Sequence, residues 1–159
     1  MKWITEYFIK KALKKVSQTN KAQLSLEHIH HIGVIAPSLV ELNETIEAIT
    51  PIVGQKAITG LFYGEGSEAK EAFSYKDFSF TGKPKNSVAE FIQHRSDLII
   101  VSAEKLNIFS LYLLYLNPQS YTVGFYDQSH APYLDLMVSK EMDQKQNIEN
   151  LLKYLKQVI

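Results

Sequence analysis

Three groups of residues carry side chains whose types and spacing suit chemistry. The first is His28-Ile29-His30-His31. In an extended segment alternate residues share a face, so His28 and His30 would point the same way. Two imidazoles on one face are half of a zinc site, which needs further ligands. His94, His130 and Asp127 are the available donors, and no spacing selects among them. The cluster therefore reads as a polar entry to a strand, with no metal site.

The second group is Pro37, Ser38, Ser102 and Glu104. Ser38-Leu39-Val40-Glu41 has the form of a capping box, in which serine and glutamate side chains satisfy the first free helix amides. The positive end of such a helix attracts an anion. Ser102 and Glu104 follow the contiguous apolar, β-favouring run Leu98-Ile99-Ile100-Val101, so the four residues make the candidate ligand-binding set. The third group is Gly64-Glu65-Gly66. It has the spacing of two dinucleotide-loop glycines, but a glutamate between them repels phosphate, and it reads as a turn. No catalytic residue is assigned. No serine-nucleophile elbow, His-Glu-x-x-His run, P-loop or kinase signature occurs. Glu65, Glu68, Glu71, Asp77 and Asp127 show no pairing, and Asp135 reads as a solvated acid on an edge strand. No cofactor is expected.

Composition narrows the class. The chain has 159 residues, 45% of them hydrophobic, which suits one domain with a real core. It has no cysteine, so disulfides, thiolate metal sites and cysteine nucleophiles are excluded. No run of 18 apolar residues is present, and the basic first residues lack the apolar core of a signal peptide. A cytoplasmic protein, peripheral to a membrane at most, is the expectation. Charge is uneven. Residues 1–22 hold Lys2, Lys10, Lys11, Lys14, Lys15 and Lys21 against Glu6, a net +5 that the remainder balances. A basic arm on a mildly acidic body points to a partner with the opposite charge.

The elements follow from periodicity. Asp97-Leu98-Ile99-Ile100-Val101-Ser102 is contiguous and β-favouring, as in a strand covered on both faces. It is expected at the centre of a parallel sheet. Residues 1–17 read as a helix with two apolar patches, one of Trp3, Ile4, Tyr7 and Phe8, the other of Ile9, Ala12, Leu13 and Val16. Residues 18–23 read as a linker. Residues 32–36, 57–63 and 121–126 read as further strands. A helix follows Ser38 and is closed by Pro51. Another starts in a second capping box at Ser87. A third, over 106–116, is apolar nearly all round and must be well covered. The last begins near Asp143 and carries Ile148, Leu151, Leu152 and Leu155 at helical spacing. Residues 77–80 are expected as a short edge strand. Residues 133–138 are expected as the other edge, antiparallel, because only six residues precede them. The predicted fold is a three-layer α/β/α Rossmann-like domain over residues 23–159, with residues 1–22 as a basic helix and linker. Two arrangements of that helix are open: an attachment arm, or a helix whose Trp3, Ile4 and Phe8 pack on the body.

The second half carries a resemblance. Asp97-Leu98-Ile99-Ile100, Leu111-Tyr112-Leu113-Leu114-Tyr115-Leu116-Asn117, Val123-Gly124-Phe125-Tyr126-Asp127 and Asp135-Leu136-Met137 resemble an uncharacterised family of short Bacteroidetes proteins. Those proteins also begin with a lysine-rich helix and continue into a strand with an Ile-Gly-Val pattern. The resemblance implies architecture and no activity. The run from Asp97 to Phe125 is also similar to the amino-terminal half of heptosyltransferase-like glycosyltransferases; these carry a second, nucleotide-sugar-binding domain, and the resemblance implies no donor site within these residues. The expected function is a non-catalytic interaction protein. Trp3, Tyr7, Phe8, Lys10, Lys11, Lys14 and Lys15 would dock on a protein or ribonucleoprotein assembly or on an anionic membrane surface. The alternative is a small-molecule or nucleotide-binding domain using Pro37, Ser38, Ser102 and Glu104.

Overall fold

Leu98, Ile99, Ile100 and Val101 form β4 (Leu98–Val101), and none of the four is more than 1% exposed. The computed structural model that shows this describes residues 1–15, 25–54, 56–140 and 143–158, so the expected linker and Val16 lie outside the described residues. β4 pairs in parallel with β1 (His31–Ala36) and β5 (Tyr121–Phe125). The sheet adds β2 (Ala57–Tyr63), β3 (Ala72–Phe73) and β6 (Leu136–Val138) in the order β3-β2-β1-β4-β5-β6. Every pairing is parallel. The fold is α/β and Rossmann-like, as expected, with the expected central strand.

Alternation along the strands divides the core in two. Ile99 and Val101 face a cluster with Phe91 of α3 (Asn86–Gln93) and Phe109 and Leu113 of α4 (Ile108–Tyr115). Leu98 and Ile100 face Leu42 and Ile49 of α2 (Leu39–Val53) and Ile148, Leu151 and Leu155 of α5 (Gln144–Val158). Gly33 of β1 is a packing glycine. A Cβ there would stand 2.8 Å from both the Phe91 ring and Ser96 Oγ. The Ile-Gly-Val pattern thus lets α3 close on the sheet and has nothing to do with phosphate.

The apolar helix α4 is covered on its second side by α1 (Lys2–Leu13). Thr5 and Ile9 are buried, and Ala12 and Leu13 pack on the same cluster. Spacing of four, three and one residues makes this one helical face. The helix packs on the body, as one of the two arrangements has it, but through Thr5, Ile9, Ala12 and Leu13 and not through Trp3, because α4 has apolar surface on both sides to bury. The α1 helix is a fourth layer over one side of the sandwich.

Several expectations are corrected. The second edge strand is parallel. The expected strand began at Tyr133, whereas residues 126–135 serve as the crossover. A 3-10 turn at Gln128–His130 reverses the chain. The Asp135 carboxylate then accepts the Thr122 backbone N–H at 2.8 Å and its hydroxyl at 3.0 Å. Asp135 is therefore an anchor that sets the register Val123 to Leu136, and not a merely solvated acid. A folded connection of ten residues does what a crossover helix does elsewhere. The other edge is β3, and not residues 77–80. There Ser74 and Asp77 form a capping box around a 3-10 turn, and Phe78 makes only a single antiparallel bridge to Pro84. Ser87 does not cap α3; its hydroxyl donates to the Ala72 carbonyl at 3.3 Å. Pro51 lies inside α2, which runs on to Val53 before Gly54 ends it at φ 72°.

Candidate functional site

The docking residues read from the sequence are on α1 and, for Lys14 and Lys15, on the turn that ends it. The helix forms because residues 2–13 contain no glycine or proline and end in the strong helix formers Lys10-Lys11-Ala12-Leu13. Its body side is the Thr5, Ile9 and Ala12 face. Trp3 is two residues from Thr5, about 200° around the axis at 3.6 residues per turn. It lies on the outer side and is 71% exposed. Tyr7 is 59% exposed, and Lys10, Lys11, Lys14 and Lys15 are exposed beyond it. Residues 3, 7, 10 and 14 form one stripe, aromatic at the amino end and cationic at the carboxyl end. Phe8 is half-buried beside Tyr7, edge to face with ring centroids 5.4 Å apart.

A specific anchor orients the stripe. Lys2 pairs with Glu65, which also accepts the Tyr63 hydroxyl at 2.7 Å. The Lys2 ammonium and the Tyr63 hydroxyl hold the Glu65 carboxyl below its ordinary range. Burial, with Glu65 second, pushes the Tyr63 phenol far up. Lys2 also stands 5.8 Å over the Tyr75 ring. Gly64-Glu65-Gly66 is indeed a turn, with Gly66 at φ 77°. The glutamate that would repel a phosphate is used to tie down α1.

The ligand set expected at the strand ends is brought together only in part. β1 and β4 are neighbours, so Pro37 and Ser38 follow one strand and Ser102 and Glu104 the other. Ser38 Oγ accepts the Glu41 N–H at 3.2 Å, as the capping pattern requires, and is occupied in doing so. Ser102 has no exposed surface, and its hydroxyl has no hydrogen-bond partner. Glu104 is exposed, 4.0 Å from Lys140 Nζ. Lys140 lies 5.3 Å from the centroid of the Phe125 ring.

The histidines separate. His28 is in a 3-10 turn (Leu26–His28), not a strand, and bonds to Ser25. His30 is exposed. The His31 ring stacks on His94, centroids 4.8 Å apart, and its Nε2 meets Thr59 Oγ1 at 3.1 Å. Burial and then His94 lower the His31 pKa. Among the described residues no three His, Asp or Glu side chains converge on one point.

Two features were missed by sequence reasoning. His130 is fully buried, and its Nε2 accepts the Leu106 N–H at 2.9 Å. The ring hydrogen must then sit on Nδ1, which has no partner. Burial lowers its pKa, with Asp127 opposing and Lys105 adding to the shift. A lone histidine gives no sequence signal. The second feature is a cleft of about 370 Å³ at the amino ends of the strands, lined by Ile52, Glu149, Leu152, Lys153, Lys156 and Gln157. Its α5 residues have a helical signature, but their meeting with Ile52 depends on α2 continuing past Pro51.

No helix among the described residues is long and apolar enough to cross a membrane. No curated protein matches the sequence. The model of a family of unknown function, DUF6913, matches residues 2–158, from the start of α1 to the end of α5. The match takes in the basic helix as well as the sheet, and the chain belongs to that family.

Proposed function

We propose that the protein is a non-catalytic attachment protein that docks on an anionic membrane surface through the outer stripe of α1. The observation that supports this is the two-sidedness of the helix. Thr5 and Ile9 are buried in the body, while Trp3 and Tyr7 stand exposed in line with Lys10 and Lys14. Trp and Tyr partition to the headgroup level of a bilayer, and lysines beside them meet anionic lipid. Because the inner face is already satisfied, the outer stripe is rigidly presented.

The test is vesicle co-sedimentation of the full chain. Binding to phosphatidylglycerol-containing vesicles is expected, with little binding to neutral phosphatidylcholine. Each lysine near the surface contributes about 1 kcal/mol. Replacing Lys10, Lys11, Lys14 and Lys15 by Gln should therefore weaken binding by roughly two to three orders of magnitude and flatten its salt dependence. Trp3→Ala with Tyr7→Ala should weaken it at both low and high salt. Lysine-dependent sedimentation with ribonucleoprotein particles and none with vesicles would overturn the membrane assignment and place the same stripe on an RNA-containing partner.

A second reading has one observation in its favour. Ser102 Oγ and His130 Nδ1 are buried, unpartnered and near the carboxyl ends of β4 and β5, the side on which ligands bind in open α/β sheets. That would be a small-molecule or nucleotide-sugar site. A saturable thermal shift by nucleotides or nucleotide sugars, lost in Ser102→Ala, would favour it.

A further inference from the structure

We propose that the cleft between the carboxyl-terminal turns of α2 and α5 binds a single-chain amphiphile with an acidic head, of the fatty-acid class. This site lies on the opposite side of the sheet from α1 and is independent of the docking stripe.

The argument starts from the walls. Ile52 and Leu152 give the cleft an apolar floor. A smaller void of about 20 Å³ lies alongside, lined by Ile29, Ile32 and Leu98 and sharing Ile52, Leu152 and Lys156 with the first. The apolar lining therefore continues from the rim toward the start of β1 and β4. A cleft of about 370 Å³ is within the range of small-molecule sites. Its volume and lining suit a hydrocarbon chain better than a sugar.

The rim selects the head group. Lys153 and Lys156 are exposed, one turn apart, and form no ion pair among the described residues. Lys56 lines the smaller void, where its ammonium donates to the Ile29 carbonyl at 2.5 Å. Glu149 is the acid at the rim and lies one turn before Lys153. Two exposed lysines against one carboxylate make the described rim net positive over an apolar floor. An amphiphile with a carboxylate at the lysines and its chain on Ile52 and Leu152 matches both parts. A cationic amphiphile matches only the floor.

Isothermal titration of the full chain with decanoate, kept as monomer, tests this. One saturable site is expected. Lys153→Gln with Lys156→Gln should weaken it at least tenfold, and Ile52→Trp, which fills the cleft, should remove it. Decyltrimethylammonium, with the same tail and the opposite charge, should bind at least tenfold more weakly. Trp3→Ala with Tyr7→Ala should bind decanoate as the parent does. Absence of saturable binding, equal binding of the two amphiphiles, or loss in the α1 variant with none in the lysine variant would each overturn the proposal. Should Ile52→Trp lose its cooperative melt, the surface lysine variant carries the test.

Discussion

The imidazole of His130 has a single hydrogen-bonded nitrogen and no access to water. Protonating it would place a hydrogen on Nε2, facing the Leu106 N–H, and would bury a charge. Its folded pKa is accordingly below the ordinary value of 6.5, as is that of His31. The unfolded chain therefore binds protons first as pH falls. Stability contributed by these residues is complete above the unfolded pKa near 6.5 and is lost progressively below it. Urea midpoints should drop between pH 7 and 5. His130→Gln, whose amide oxygen can take the Leu106 N–H, should flatten part of that slope and leave the His31 part. An unchanged slope would show that His130 does not gate the loss. The residue scale was the least legible in sequence. Ser38 was read correctly because a cap is a local pattern. Asp135 was misread because its partner, Thr122, lies thirteen residues away.

The helix α1 has two faces with different duties, and substitutions should separate them. Ile9 has no exposed surface, so Ile9→Ala should cost about 2–5 kcal/mol by removing buried methylenes and leaving a cavity. Trp3→Ala removes a larger side chain from the exposed face and should change stability by less than about 0.5 kcal/mol. Chemical denaturation of the two variants checks this, and comparable losses would mean that Trp3 is also a core residue. The apolar character of α4 announced that something must cover it. That the cover would be α1, with Thr5 at the contact, was not legible, because Thr5 is polar and the two apolar patches were of similar size. The edge strand at residues 136–138 failed in the same way. Hydrophobic pattern located the strand, but its direction depended on where the preceding turn ended.

For the molecule as a whole, β4 is the common wall of both core clusters. Ile100 has no exposed surface and faces the α2 and α5 side. Ile100→Asp should bury an unpaired carboxylate at a cost above about 4 kcal/mol, against a total stability of about 5–15 kcal/mol for domains of this kind. The variant should lack a cooperative melt at neutral pH. A melt near that of the parent would mean that the strand is not central. The charge asymmetry is also a whole-molecule property. Lys2 is consumed in holding α1 to Glu65, so the outward charge of the helix rests on Lys10, Lys11, Lys14 and Lys15.

What the sequence by itself determined was the helices, the strands other than β3, and the place of β4. Contiguous apolar residues, the Ser38 cap and helical spacing are local, and their energies do not depend on distant partners. The tertiary structure alone decided the direction of β6, the docking of α1 and the opening of the α2–α5 cleft. Each of these rests on a contact between residues far apart in the chain: Asp135 with Thr122, Ile9 with the α4 cluster, Ile52 with Leu152. The free energy of such contacts comes from burial and from satisfied polar groups, and neither has a local signature. Tyr63 and Glu65 show the same limit: a turn glutamate became an anchor only when the fold brought Lys2 to it.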